Sequence, residues 1–91
     1  MRTVLLDGAE IRTMADVHRA FAERLDFPKT YGNNLDALYD LLTDGREATV
    51  LLRGVPLLHE ALGAKFALLF RVLCDAATEN PRLQLITEED A

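Results

Sequence analysis

Ninety-one residues suffice for one domain with a single core and leave no room for a second, so the expected organisation is one unit over residues 1–91. The hydrophobic fraction of 49% and charged fraction of 27% are those of an ordinary globular chain, and a formal charge of -5 sets the whole molecule against phosphate backbones and anionic lipid surfaces. Direct nucleic-acid or membrane binding is therefore not expected, whereas a basic protein partner would be attracted.

Thr3 to Leu6 is a continuous apolar run closed by the turn-forming pair Asp7-Gly8, which predicts a strand buried on both faces. Thr13 is a helix cap with Asp16 three residues on, and Met14, Val17, His18, Phe21 and Leu25 recur at helical spacing, predicting a helix over Met14 to Leu25. Pro28 and Gly32 break the next stretch into a loop, and Asn33 and Asn34 stand ready to cap a second helix carrying Leu35, Leu38, Tyr39 and Leu42. That helix is expected to stop near Asp44-Gly45. Ala48 to Leu52 then reads as a second buried strand, closed by Arg53-Gly54. Pro56 and Gly63 bracket a short third helix. Lys65 to Thr78 is apolar on most sides, predicting a largely enclosed fourth helix that Asn80-Pro81 ends. Leu83, Leu85 and Ile86 give a last strand, with Thr87 to Ala91 as a frayed acidic tail. Strands separated by helical crossovers predict the α/β class, with a small three-stranded parallel sheet, helices packed against it and the order βααβααβ.

Within the second helix, Leu35, Leu38, Tyr39 and Leu42 share one sector while Asp36, Asp40 and Asp44 recur at i, i+4 and i+8. No basic residue of that helix relieves the acids, and only Asp36 lies near the favourable positive end. Two readings are open on pattern alone: a solvated polar face, or a surface kept for a partner. Tyr39, at the border of the sectors, is either a half-buried core aromatic or a contact surface.

Other chemistry is weakly represented. Cys74 is the lone cysteine and falls in an apolar helix, while His18 and His59 lack neighbours at ligand spacing. Asp36 and Asp44 would lie about 12 Å apart along a helix axis, too far for one divalent ion to join all three carboxylates. No catalytic residue, metal site or cofactor is predicted. The single cysteine and the absence of a secretory segment after Met1-Arg2 predict a reducing, cytoplasmic setting.

The run Tyr31-Gly32-Asn33-Asn34-Leu35-Asp36-Ala37-Leu38-Tyr39-Asp40 resembles the barstar family of intracellular ribonuclease inhibitors, and the likeness extends backward through Ile11-Arg12, Asp16, His18 and Leu25 to Pro28. The resemblance implies a barstar-like fold and a bacterial toxin-immunity protein that blocks a basic, barnase-like ribonuclease without being an enzyme itself. Carried over by position, Asp36 and Asp40 resemble the family's inhibitory acids, Gly32, Asn34 and Leu35 its loop and helix-start contacts, and Tyr39 its contact aromatic. Thr30, Tyr31 and Asp44 complete the expected partner surface. A further acid is implied on the last helix, where counting forward from Phe70-Arg71 reaches Val72 and counting back from Leu85-Ile86 reaches Asp75. The chain departs from the family pattern at Thr30, where an aromatic is expected, and at Tyr39 and Gly45, where tryptophans are expected. Those departures keep a second reading in view, a barstar-like binding or immunity module with a target other than a ribonuclease.

Overall fold

The first two helices begin where a side chain accepts from a first-turn backbone N–H, and the later two each follow a glycine. In the computed structural model, which describes residues 2–88, β1 (Arg2–Asp7) leads to α1 (Met14–Leu25), whose start is a reciprocal capping box. The Thr13 hydroxyl accepts from the Asp16 N–H, and the Asp16 carboxylate accepts from the N–H groups of Arg12 and Thr13. These backbone donors hold the Asp16 carboxyl below its ordinary range. Asn34 caps α2 (Leu35–Leu42), Pro56 occupies the first turn of α3 (Val55–Leu62), and Gly63, at φ 61°, separates α3 from α4 (Ala64–Glu79).

β2 (Ala48–Arg53) lies between β1 and β3 (Leu83–Glu88), parallel to both. The register runs Val4–Val50–Leu85 and Leu5–Leu51–Ile86 across the three strands. The ends of β1 and β2 are drawn together by the Gly8 N–H, which donates to Arg53 O at 2.8 Å. A Cβ on Gly8 would lie 2.5 Å from Gly54 O, so only glycine allows this approach. The architecture is the predicted α/β one in the order βααβααβ.

The helices cover one face of the sheet. Val4, Leu6, Val50 and Leu52 point into a core shared with Val17, Phe21, Leu38, Leu42, Leu58, Leu69 and Leu73. The opposite face carries Leu5 and Ile86, 37% and 44% exposed. The expectation of strands buried on both faces is therefore corrected for β1, which alternates. The cause is topological: the strand order advances from β1 through β2 to β3, and right-handed crossovers running in one direction pack their helices on one side. α4 is likewise less enclosed than predicted. It buries Phe66, Leu69, Leu73 and Ala76 and leaves Leu68 56% exposed, because only its inner side meets the sheet and the neighbouring helices. β3 also runs further than predicted: Thr87 and Glu88 belong to the strand, and Glu88 pairs with Arg53 at 3.2 Å. The rest of the predicted tail, residues 89–91, lies outside the described residues.

Candidate functional site

The loop before α2 is built on aromatic contacts. Phe27 is buried, and the Tyr31 ring meets it edge-on at 4.8 Å between centroids while a second edge contact at 5.6 Å reaches His18 of α1. The Tyr31 hydroxyl lies 2.6 Å from His18 Nδ1. Burial lowers the His18 pKa from its ordinary value and pushes the Tyr31 phenol up to about 12, so a phenolic O–H donating to a neutral imidazole is the favoured form of this bond. The Tyr31 N–H closes a turn onto Pro28 O at 2.9 Å. Thr30, Gly32 and Asn33 are exposed around this anchor, with Asn33 in the left-handed region at φ 53°.

Asn34 ends the loop and starts the helix. Its Oδ1 accepts from the Ala37 N–H at 2.8 Å, and its amide donates to Gly32 O at 3.4 Å. A Cβ on Gly32 would lie 2.9 Å from that amide nitrogen, which ties the glycine to the cap. Gly32 and Asn34 are thus hydrogen-bonded to each other and, through Ala37, to the first turn of α2.

Along α2, Leu38 and Leu42 are buried, Leu35 and Tyr39 are half-buried against the core, and Asp36 and Asp40 are exposed one turn apart. Among the described residues neither carboxylate takes an ion-pair partner within 4.0 Å. Asp44 behaves differently, and here the predicted three-acid ridge is corrected. The helix stops at Leu42, where the Thr43 hydroxyl turns back onto Tyr39 O at 2.8 Å, so helical spacing no longer applies at residue 44. Asp44 instead binds Arg46 through both carboxylate oxygens, at 3.0 and 2.8 Å, and these bonds lower its pKa. Arg46 also donates to Leu25 O at 2.8 Å and sits over the Phe27 ring at 5.1 Å. A basic residue therefore does relieve Asp44, from outside the helix.

The far end of α2 is fixed from α4. Asn80 is buried, and its amide donates to Leu42 O and Arg46 O, each at 2.9 Å. On α4, which packs beside α2, Asp75 is exposed and Val72 is half-buried.

Three positioning residues escaped sequence reasoning. His18 falls at helical spacing with Val17, Phe21 and Leu25, but nothing in local spacing links it to Tyr31. Arg46 and Asn80 were likewise invisible as braces, although Asn80 was legible as a helix stop. Elsewhere Cys74 is half-buried, and no group of three His, Cys, Asp or Glu among the described residues is placed to hold a metal ion. No helix among them is long and apolar enough to cross a membrane.

A three-stranded parallel sheet with four helices among the described residues, in the order βααβααβ, is a barstar-like fold. The family model described as Barstar (barnase inhibitor) matches residues 1–88, and the chain belongs to that family. It is also similar to a protein of Bacillus subtilis (strain 168) named "Putative ribonuclease inhibitor YrdF", with 44% identity over 43 residues, covering 47% of this chain and 47% of that protein. The match thus spans about half of that relative's length.

Proposed function

We propose that this chain is a cytoplasmic immunity protein that inhibits a basic, barnase-like ribonuclease by covering its active site with the surface formed by the loop and α2. The observation that carries this reading is the pair Asp36 and Asp40, exposed and free of ion-pair partners among the described residues, on a helix braced at both ends by Asn34 and Asn80. A ribonuclease holds phosphate with Arg, Lys and His, so a carboxylate seated where a phosphate belongs takes over those donors. Because the brace exists before binding, little ordering of the helix opposes association.

In this surface Asp40 is the principal anchor and Asp36 its neighbour. Tyr39 and Leu35 supply apolar contact at the border of the core, and Thr30, Tyr31, Gly32 and Asn34 present the loop. Asp44, whose charge is shared with Arg46, adds to the negative field more than to direct pairing. Asp75 is a further contact from α4. Membership of the family and the name borne by the Bacillus relative support an inhibitory rather than an enzymatic role.

Exposed Thr30, at a position where the family pattern carries an aromatic, favours a second reading: the same surface directed at a basic target that is not a ribonuclease. Titrating the protein against a barnase-like ribonuclease while following RNA cleavage separates the two. Stoichiometric inhibition that Asp40→Ala removes supports the first reading, whereas a folded protein that leaves cleavage untouched supports the second.

A further inference from the structure

We propose that Arg46 and Asp44 form a clamp joining the two ends of the segment that carries the partner surface, so that Asp44 serves capture by orienting Arg46 rather than by its own charge. This rests on the reading of residues 30–40 as the surface that meets the partner.

Between Leu25 at the end of α1 and Ala48 at the start of β2, the eight residues of α2 are the one regular element among the described residues. The proposed surface therefore lies on an excursion of largely irregular chain, and a tie between its ends restricts the geometries it can take. Arg46 makes that tie. Its Nη1 donates across 21 residues to Leu25 O at 2.8 Å, one of the last-turn carbonyls that a helix cannot satisfy itself. Its Nε and Nη2 meet the two oxygens of Asp44 at 3.0 and 2.8 Å, and Asp44 Oδ1 also accepts from the Arg46 backbone N–H at 3.1 Å. The guanidinium sits over the Phe27 ring, which in turn meets Tyr31 edge-on. One side chain, 25% exposed, thus touches the end of α1, the base of the loop and the turn after α2. Its own backbone is held as well, since Arg46 O accepts from Asn80.

Two roles for Asp44 make opposite demands on Arg46. If Asp44 acted through its charge, the neighbouring cation would oppose attraction of a basic partner, and removing that cation would strengthen capture. If Asp44 orients the guanidinium, losing either residue frees the same segment and weakens capture. The geometry points to the second role, because both carboxylate oxygens are engaged by the guanidinium fork while a third donor direction reaches Leu25 O. A lysine would restore the charge without that fork. With the ends untied, the binding geometry becomes one of several, and apparent affinity falls with the fraction of molecules that hold it.

Titrations against a barnase-like ribonuclease, with every variant first shown by circular dichroism to be folded, test the sign. Asp44→Ala is expected to weaken capture about tenfold, as is Arg46→Met, which keeps bulk over Phe27. The double variant is expected to be no weaker than either single one, and Arg46→Lys to resemble Arg46→Met rather than the parent. Thr13→Ala, which destabilises the distant start of α1, is expected to bind as the parent does. In the free protein, NMR of the amides of Phe27 to Asn34 is expected to show the same pattern of shifts in Asp44→Ala and Arg46→Met. Tighter capture by Arg46→Met, additive losses in the double variant, an equal loss in Thr13→Ala, or loop amides unmoved in both single variants would each overturn the proposal. If Arg46→Met does not fold, Asp44→Ala beside Arg46→Lys gives the same reading. If the parent fails to inhibit while the shared shifts appear, the partner reading falls and the clamp stands.

Discussion

Asp40 occupies a position that helix energetics disfavours. Asp36 lies in the first turn of α2, where a negative charge gains about 0.3–1 kcal/mol from the helix end, but Asp40 lies beyond it with a like charge four residues back, at a cost of about 0.2–0.5 kcal/mol. Asp40→Ala is therefore expected to leave the urea midpoint unchanged or slightly raised, while Asp36→Ala lowers it modestly. Asn80 presents the reverse case. Its amide serves two carbonyls and its Oδ1 accepts from the Arg82 N–H, so Asn80→Ala is expected to cost about 2–4 kcal/mol in denaturant unfolding, because buried backbone groups lose their partners. His18 adds a dependence on pH. Its pKa is lower in the folded chain, so between that value and 6.5 the unfolded chain binds more protons, and stability is expected to fall as pH drops through this window. Tyr31→Phe and His18→Asn, followed by urea unfolding at pH 5 and 7.5, measure how much of that slope belongs to the ring. The acids were legible in the sequence as an unusual spacing, whereas the His18–Tyr31 bond was not, because it depends on how a loop folds over a helix.

At the level of elements, caps governed what could be read. Thr13 with Asp16, Asn34, Pro56, Gly63 and Asn80-Pro81 are chemical boundary marks, and the elements they bound fall where those marks predict. The end of α2 is marked only by a threonine hydroxyl bonding back into the helix, which has no distinctive sequence sign, and the misplaced boundary carried Asp44 into a ridge to which it does not belong. Strand burial misled for another reason. An apolar run such as Thr3 to Leu6 fits a two-sided strand equally well, and only the direction of the crossovers decides whether both faces are covered. Two predictions belong here. Thr13→Ala is expected to cost about 0.5–2 kcal/mol by freeing the start of α1, with partner capture unchanged. Asn34→Ala is expected to cost a similar amount and also to weaken capture, since the same side chain joins the loop to α2. Calorimetric unfolding beside inhibition titrations distinguishes the two caps.

Over the whole molecule, a net charge of -5 favours basic partners, and the exposed carboxylates of Asp36 and Asp40 add to it where the proposed partner approaches. Association with a basic ribonuclease is therefore expected to slow by on the order of tenfold between low and moderate salt, with dissociation much less affected; stopped-flow mixing at several ionic strengths reads both rates. The sheet has a further consequence for where new specificity can arise. Its strands follow one another in chain order, so the sequence of strands never reverses and the two crossovers do not diverge to open a cleft at the carboxyl ends, the place where doubly wound sheets hold their small ligands. The proposed partner surface accordingly lies on the outside of one helix and its entry loop. A change of target then asks for new side chains at positions such as Thr30 and Tyr39, with the strands beneath left as they are.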